Sequence, residues 1–77
     1  MKLLKQSNKV IRSGMLPCSI VLYCLGPKGP HENEYVTWME AVNEDNTTAR
    51  FWGHYFHDEK EASEDYHARR VALAATV

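Results

Sequence analysis

Seventy-seven residues, 44% of them apolar and 25% charged, with a formal net charge of −1, describe one small domain with a thin core. Disorder is excluded by the aromatic and apolar content, and a disulfide scaffold by a cysteine count of two. The longest apolar run, Met15 to Leu25, is too short to cross a bilayer as a helix, and so small a core leaves little room for a large enzyme pocket.

The near-neutral total conceals an asymmetry. Residues 1–14 carry Lys2, Lys5, Lys9 and Arg12 without an acid, a charge of +4, and residues 15–77 carry −5. The chain therefore reads as a basic head on an acidic body, and those two parts favour different partners.

On a helical wheel, residues 1–13 separate Leu3, Leu4, Val10 and Ile11 from the four cations, which predicts a basic amphipathic helix closed by Gly14. The alternative, with Met15 as the start of the domain, makes residues 1–14 an extension. A basic stretch before an apolar run also suggests a signal peptide. Pro17, two cysteines and the lack of a small-residue cleavage pattern argue against one, and the expected compartment is the cytoplasm.

Residues 16–25 read as the first strand, with Leu16, Cys18, Ile20, Leu22 and Cys24 on the core face. Cys18 and Cys24 would lie about 20 Å apart along it, beyond disulfide reach. A loop follows at Gly26–Asn33. Tyr35–Ala41 and Thr48–Phe56 alternate as a hairpin around the turn Glu44-Asp45-Asn46, where Asn46 suits the left-handed conformation. If opposed residue numbers sum to 90, Met39 meets Phe51, Ala41 meets Ala49 and Tyr35 meets Tyr55. The other face then pairs Trp38 with Trp52 and Glu40 with Arg50. Asp58 with Glu61 marks a helix start, and Ala62, Tyr66 and Leu73 form its core stripe.

The expected fold is α+β: a three-stranded antiparallel sheet with helices packed on it, in the order α-β-β-β-α, residues 15–77 forming a single domain. Double-stranded RNA-binding domains share this order, but they need a basic second helix. Here that helix opens Asp58-Glu59-Lys60-Glu61 and continues to Glu64 and Asp65, which would repel phosphates.

Catalytic and metal-binding arrangements are not evident. His54 and His57 would point to opposite sides of a strand end, His31 and His67 are isolated, and the cysteines sit mid-strand, where burial disfavours a thiolate. Neither an enzyme nor a cofactor is expected.

The segment Trp52-Gly53-His54-Tyr55-Phe56, followed by Asp58, Ala62, Asp65-Tyr66 and Arg69, resembles small uncharacterised proteins carried by phages and plasmids of enteric bacteria, over about residues 35–70. In size, acidity and hairpin-plus-helix layout the chain is also similar to phage anti-CRISPR proteins. That resemblance implies a stoichiometric inhibitor of a host defence complex, acting at its nucleic-acid site or at a moving interface.

The expected function is therefore a non-enzymatic protein–protein inhibitor whose partner is a nucleic-acid-handling host complex. Its expected contact residues are Trp38, Glu40, Glu44, Asp45, Trp52, Asp58, Glu59, Glu61, Glu64 and Asp65. The first alternative is nucleic-acid binding through Lys2, Lys5, Lys9, Arg12 and Arg50 beside the tryptophan face. The second is a structural or oligomer-forming phage component.

Overall fold

A computed structural model describes residues 1–11, 14–27 and 33–75 of the chain. Its organising element is the strand β2, Cys18–Pro27, within which Cys18 through Leu22 are all buried. A strand buried on both faces lies inside a sheet, and its backbone groups need partners on both edges. The chain provides one on each side. The sheet has four antiparallel strands in the order β1-β2-β3-β4, with β1 at Lys2–Gln6, β3 at Asn33–Val42 and β4 at Thr48–Phe56. One helix, α1 at Glu59–Ala75, follows.

This corrects the expected fold. The sheet is four-stranded, the order is β-β-β-β-α, and residues 2–6 pair with β2 rather than forming an amphipathic helix. The physical reason lies in β2, whose outer edge would otherwise be an unpaired row of donors and acceptors along a buried strand. A lone helix of about three turns has little to set against that demand. The order shared with double-stranded RNA-binding domains goes with the helix.

The β3–β4 hairpin keeps the expected register near its turn and loses it further out. Met39 opposes Phe51, Glu40 opposes Arg50 and Ala41 opposes Ala49. Beyond Met39 the pairing shifts by one residue, so that Thr37 opposes His54 and Tyr35 opposes Phe56, not Tyr55. The shift is a β-bulge in which Trp52 and Gly53 together oppose Trp38, and Trp52 takes the left-handed conformation with φ of 53°. The expected cross-strand pair of tryptophans does not form.

The turn itself is as anticipated. Asn46 has φ of 67°, and the Asn43 N–H donates to the Thr47 carbonyl at 2.8 Å. Asp45 Oδ1 accepts from the Thr47 hydroxyl at 2.6 Å and from the Thr47 N–H at 3.0 Å. Those bonds, the hydroxyl first, hold the Asp45 carboxyl below its usual value. A depressed carboxyl stabilises the fold above its unfolded value, near ~4, and that contribution is lost as pH falls through the lower folded value. Asp45→Asn should therefore lower stability slightly at neutral pH and flatten the acid end of a stability-versus-pH curve measured by urea titration, the two proteins converging at low pH. An unaltered acid limb would contradict this.

Helix α1 packs on one face of the sheet. Ala62, Tyr66 and Leu73 join Cys18, Ile20, Leu22 and Ala41 in the main core, flanked by Leu4, Val10, Tyr35, Met39 and Phe56. Asp58 caps the helix, its Oδ1 accepting from the Lys60 N–H at 3.2 Å. Cys18 and Cys24 are free thiols. Among the described residues no helix is long and apolar enough to cross a membrane.

Candidate functional site

The face of the sheet away from α1 is closed by its own side chains. Val21 and Val36 lie on this face and are fully buried, although no helix covers them. Three aromatic residues from neighbouring strands run across it: Tyr23 of β2, Trp38 of β3 and Tyr55 of β4. The Tyr23 and Trp38 ring centroids are 5.7 Å apart and tilted by 59°, and Trp38 meets Tyr55 edge-on at 6.4 Å. Such contacts add about 0.5–1.5 kcal/mol each beyond the area they bury.

Arg50 lies over this row. Its guanidinium carbon is 5.0 Å from the Tyr23 ring centre and 5.1 Å from that of Trp38. Its Nε donates to Glu40 Oε2 at 3.2 Å and a terminal nitrogen donates to the Tyr23 hydroxyl at 3.2 Å. The predicted Glu40–Arg50 pair thus forms and pins the guanidinium flat against the rings. Gly53 makes room for the indole: a Cβ there would stand 2.6 Å from Trp38 Nε1 and 3.3 Å from the Tyr55 ring.

Strand β4 is an edge of the sheet and carries the most exposed aromatic surface. Phe51 is 43% exposed, Tyr55 58% and Trp52 70%. The Trp52 indole leans on Phe51, with centroids 5.9 Å apart, rather than on Trp38.

The remaining expected contact residues are dispersed. Glu44 and Asp45 sit at the exposed tip of the hairpin, bordering a depression of about 450 Å³ with Leu16 and Asn43. Glu59, Glu61 and Glu64 are exposed on α1, in the other layer from Trp38. Asp65 turns inward. Its Oδ2 accepts from the buried Thr37 hydroxyl at 2.6 Å and lies 3.0 Å from His54 Nδ1. Arg69 donates to the Thr37 hydroxyl at 3.0 Å and to its carbonyl at 3.1 Å. Asp58 is occupied as the helix cap. The acids and the tryptophans therefore do not form one surface.

The cations of the alternative reading are equally divided. Lys5 projects towards α1, its Nζ 5.8 Å above the Tyr66 ring, in the layer opposite the aromatic row. Lys2 opposes Cys24 at the sheet edge, Lys9 is exposed, and Arg12 lies outside the described residues. Arg50 is the cation on the aromatic row, and it is ion-paired. Among the described residues no group of three or more His, Cys, Asp or Glu side chains is placed to hold a metal ion.

Sequence reasoning missed Tyr23, Tyr55 and Gly53. A glycine inside an alternating strand is a signal of a bulge or of a close approach, and here it marks both. The chain matches no family model, no curated protein and no solved structure.

Proposed function

We propose that the chain is a non-enzymatic binding protein that acts by stoichiometric protein–protein contact, with the aromatic edge formed by Phe51, Trp52 and Tyr55 as its docking surface. The observation that carries this reading is Trp52. A bulky residue in the left-handed region costs about 1–2 kcal/mol, and the strain here holds a 70% exposed indole in water. Glycine would remove the strain, so an external contact for the ring explains why it is worth keeping. Tryptophan, tyrosine and arginine are also the residues that dominate binding energy at protein interfaces.

The resemblance to phage- and plasmid-borne proteins over about residues 35–70 supports a mobile-element origin, and the likeness in size, acidity and hairpin-plus-helix layout to anti-CRISPR proteins supports an inhibitor of a host defence complex. Glu44 and Asp45 at the hairpin tip supply negative charge that would steer it to a basic site.

The decisive variant is Trp52→Gly. Relief of strain offsets loss of the Phe51 contact, so stability should stay within about 1 kcal/mol of wild type. Affinity capture from a bacterial lysate should nevertheless lose the partner that wild type retains. Capture of the same partner by a folded Trp52→Gly protein would overturn the reading.

Direct nucleic-acid binding requires cations beside the rings, and Lys5 points into the opposite layer while Arg50 is already paired with Glu40. Fluorescence anisotropy with labelled single- and double-stranded oligonucleotides at low salt should accordingly show no change that Trp38→Ala or Tyr55→Ala abolishes. A shift lost in those variants would restore the alternative.

A further inference from the structure

A second feature lies on the opposite side of the molecule. Where the chain leaves β1 it runs beside the second half of α1, and a cleft of about 300 Å³ opens between them. Gln6, Asn8, Val10, Tyr66 and Arg70 line it together with Ser7. Ser7 fixes the segment in place: its hydroxyl accepts from the Ile20 N–H at 2.8 Å and donates to the Asn8 carbonyl at 3.2 Å. The Val10 N–H adds a bond to the Cys18 carbonyl at 2.7 Å. One wall is therefore tied to β2 and the other is a helix packed on the core. The cleft is formed before any ligand arrives.

Its electrostatics are one-sided. Residues 1–31 contain no Asp or Glu, nor do residues 66–77, so both walls come from acid-free stretches of an acidic protein. Lys5 stands above Tyr66, and Arg70 lines the cleft directly. Among the described residues neither has a carboxylate partner. Arg70 donates to His67 Nδ1 at 2.9 Å, which uses one of its five N–H groups. The Gln6 and Asn8 amides have no side-chain hydrogen-bond partner among the described residues, and each offers two further donors. The end of α1 presents roughly half a negative charge nearby, which the two cations outweigh.

We propose that this cleft binds a small organic oxyanion, a carboxylate or phosphate monoester whose charged group is held by Arg70 with the Gln6 and Asn8 amides and whose apolar part rests on Val10 and Tyr66. A guanidinium fork flanked by amide donors matches a planar or tetrahedral oxyanion. The volume lies at the lower end of the range for small-molecule sites, and two cations beside one cleft make a pocket rather than a track along a nucleic-acid backbone.

The test is heteronuclear NMR on the full chain, titrated separately with sodium phosphate and sodium acetate against sodium chloride at matched ionic strength. Saturable shifts are expected at the Gln6 and Asn8 side-chain amides and at Arg70 Nε–H, and the better anion of the two identifies the headgroup. Arg70→Gln should weaken that binding about tenfold or more. Lys60→Gln, which removes an exposed cation from the start of the same helix, should leave it unchanged. Both sites are exposed, so both variants keep the fold, as their unshifted core resonances will show. Absence of saturation, or equal weakening in the two variants, overturns the proposal. So does a short oligonucleotide that binds more tightly than either anion and loses affinity in Arg70→Gln, because the cleft would then be a nucleic-acid phosphate contact.

Discussion

Trp38→Ala should destabilise the protein by about 3 kcal/mol, and Gly53→Ala should cost about 1–3 kcal/mol in the wild type but nothing in the Trp38→Ala background. Both expectations follow from how the uncovered sheet face is closed. Val21 and Val36 are fully buried there beneath a layer one side chain thick, made of Tyr23, Trp38, Tyr55 and Arg50. Trp38 is its centre, touching both tyrosines and lying under the guanidinium. Its loss exposes the valines and removes two ring contacts and a cation–π contact together.

A methyl group at residue 53 would stand 2.6 Å from Trp38 Nε1 and 3.0 Å from Cδ1, so the indole must move and carry the layer with it. Once the indole is gone, the one close contact left is the Tyr55 ring at 3.3 Å, which that 58% exposed side chain relieves by a small shift, and alanine gains the strand preference that glycine lacks, so the second change becomes neutral or stabilising. At roughly 0.05–0.15 kcal/mol per residue a chain of this length holds about 4–12 kcal/mol in total, so 3 kcal/mol is a large share. Urea unfolding of the four proteins in the cycle measures this. Additive costs would mean that Gly53 is needed for its backbone and not for the indole.

What the sequence disclosed and what it hid divide along one physical line. Features fixed by neighbours in the chain were readable: β4 spans Thr48–Phe56 as the alternation requires, Asn46 takes the left-handed position in the turn, and Ala62, Tyr66 and Leu73 are the buried stripe of α1. Features fixed by distant partners were not. Residues 2–6 have enough helical periodicity to read as a helix, and only the need of β2 for a partner on its second edge makes them a strand. The clue was present in Met15–Leu25, whose unbroken apolar character already implied a central strand. Similarly, a register argued from side-chain pairing holds from Met39 to Val42 and then fails by one residue, because a bulge changes parity without altering composition. That single slip moves Tyr55 to the outer face and His54 to the helix face. It also decides the fate of Asp65, which looks solvated on a helical wheel until His54 and Thr37 are placed opposite it.

Asp65→Ala is the second change expected to be severe, at about 2–3 kcal/mol, and it tests that consequence of the slip. Leaving the hydroxyl of the fully buried Thr37 without its acceptor costs about 1–3 kcal/mol, and lost charge compensation at Arg69 adds to it. The carboxylate serves three groups at once: it accepts the hydroxyl of Thr37, which is fully buried, contacts His54 and offsets the charge of Arg69. Burial pushes the Arg69 pKa down and Asp65 pushes it back up, so without Asp65 the guanidinium keeps its desolvation cost and loses its compensation. Thr37 would keep only the Arg69 contacts, leaving its own proton without an acceptor. Asp65→Asn preserves a hydrogen-bond acceptor without the charge and should cost less than the alanine variant. His54→Ala removes only a half-exposed partner and should cost least of the three, about 0.5–1 kcal/mol. Urea unfolding with amide exchange at Thr37 and Arg69 gives the ranking. A wild-type stability for Asp65→Ala would show that Asp65 is free to face a partner after all, returning it to the acidic surface from which the bulge removed it.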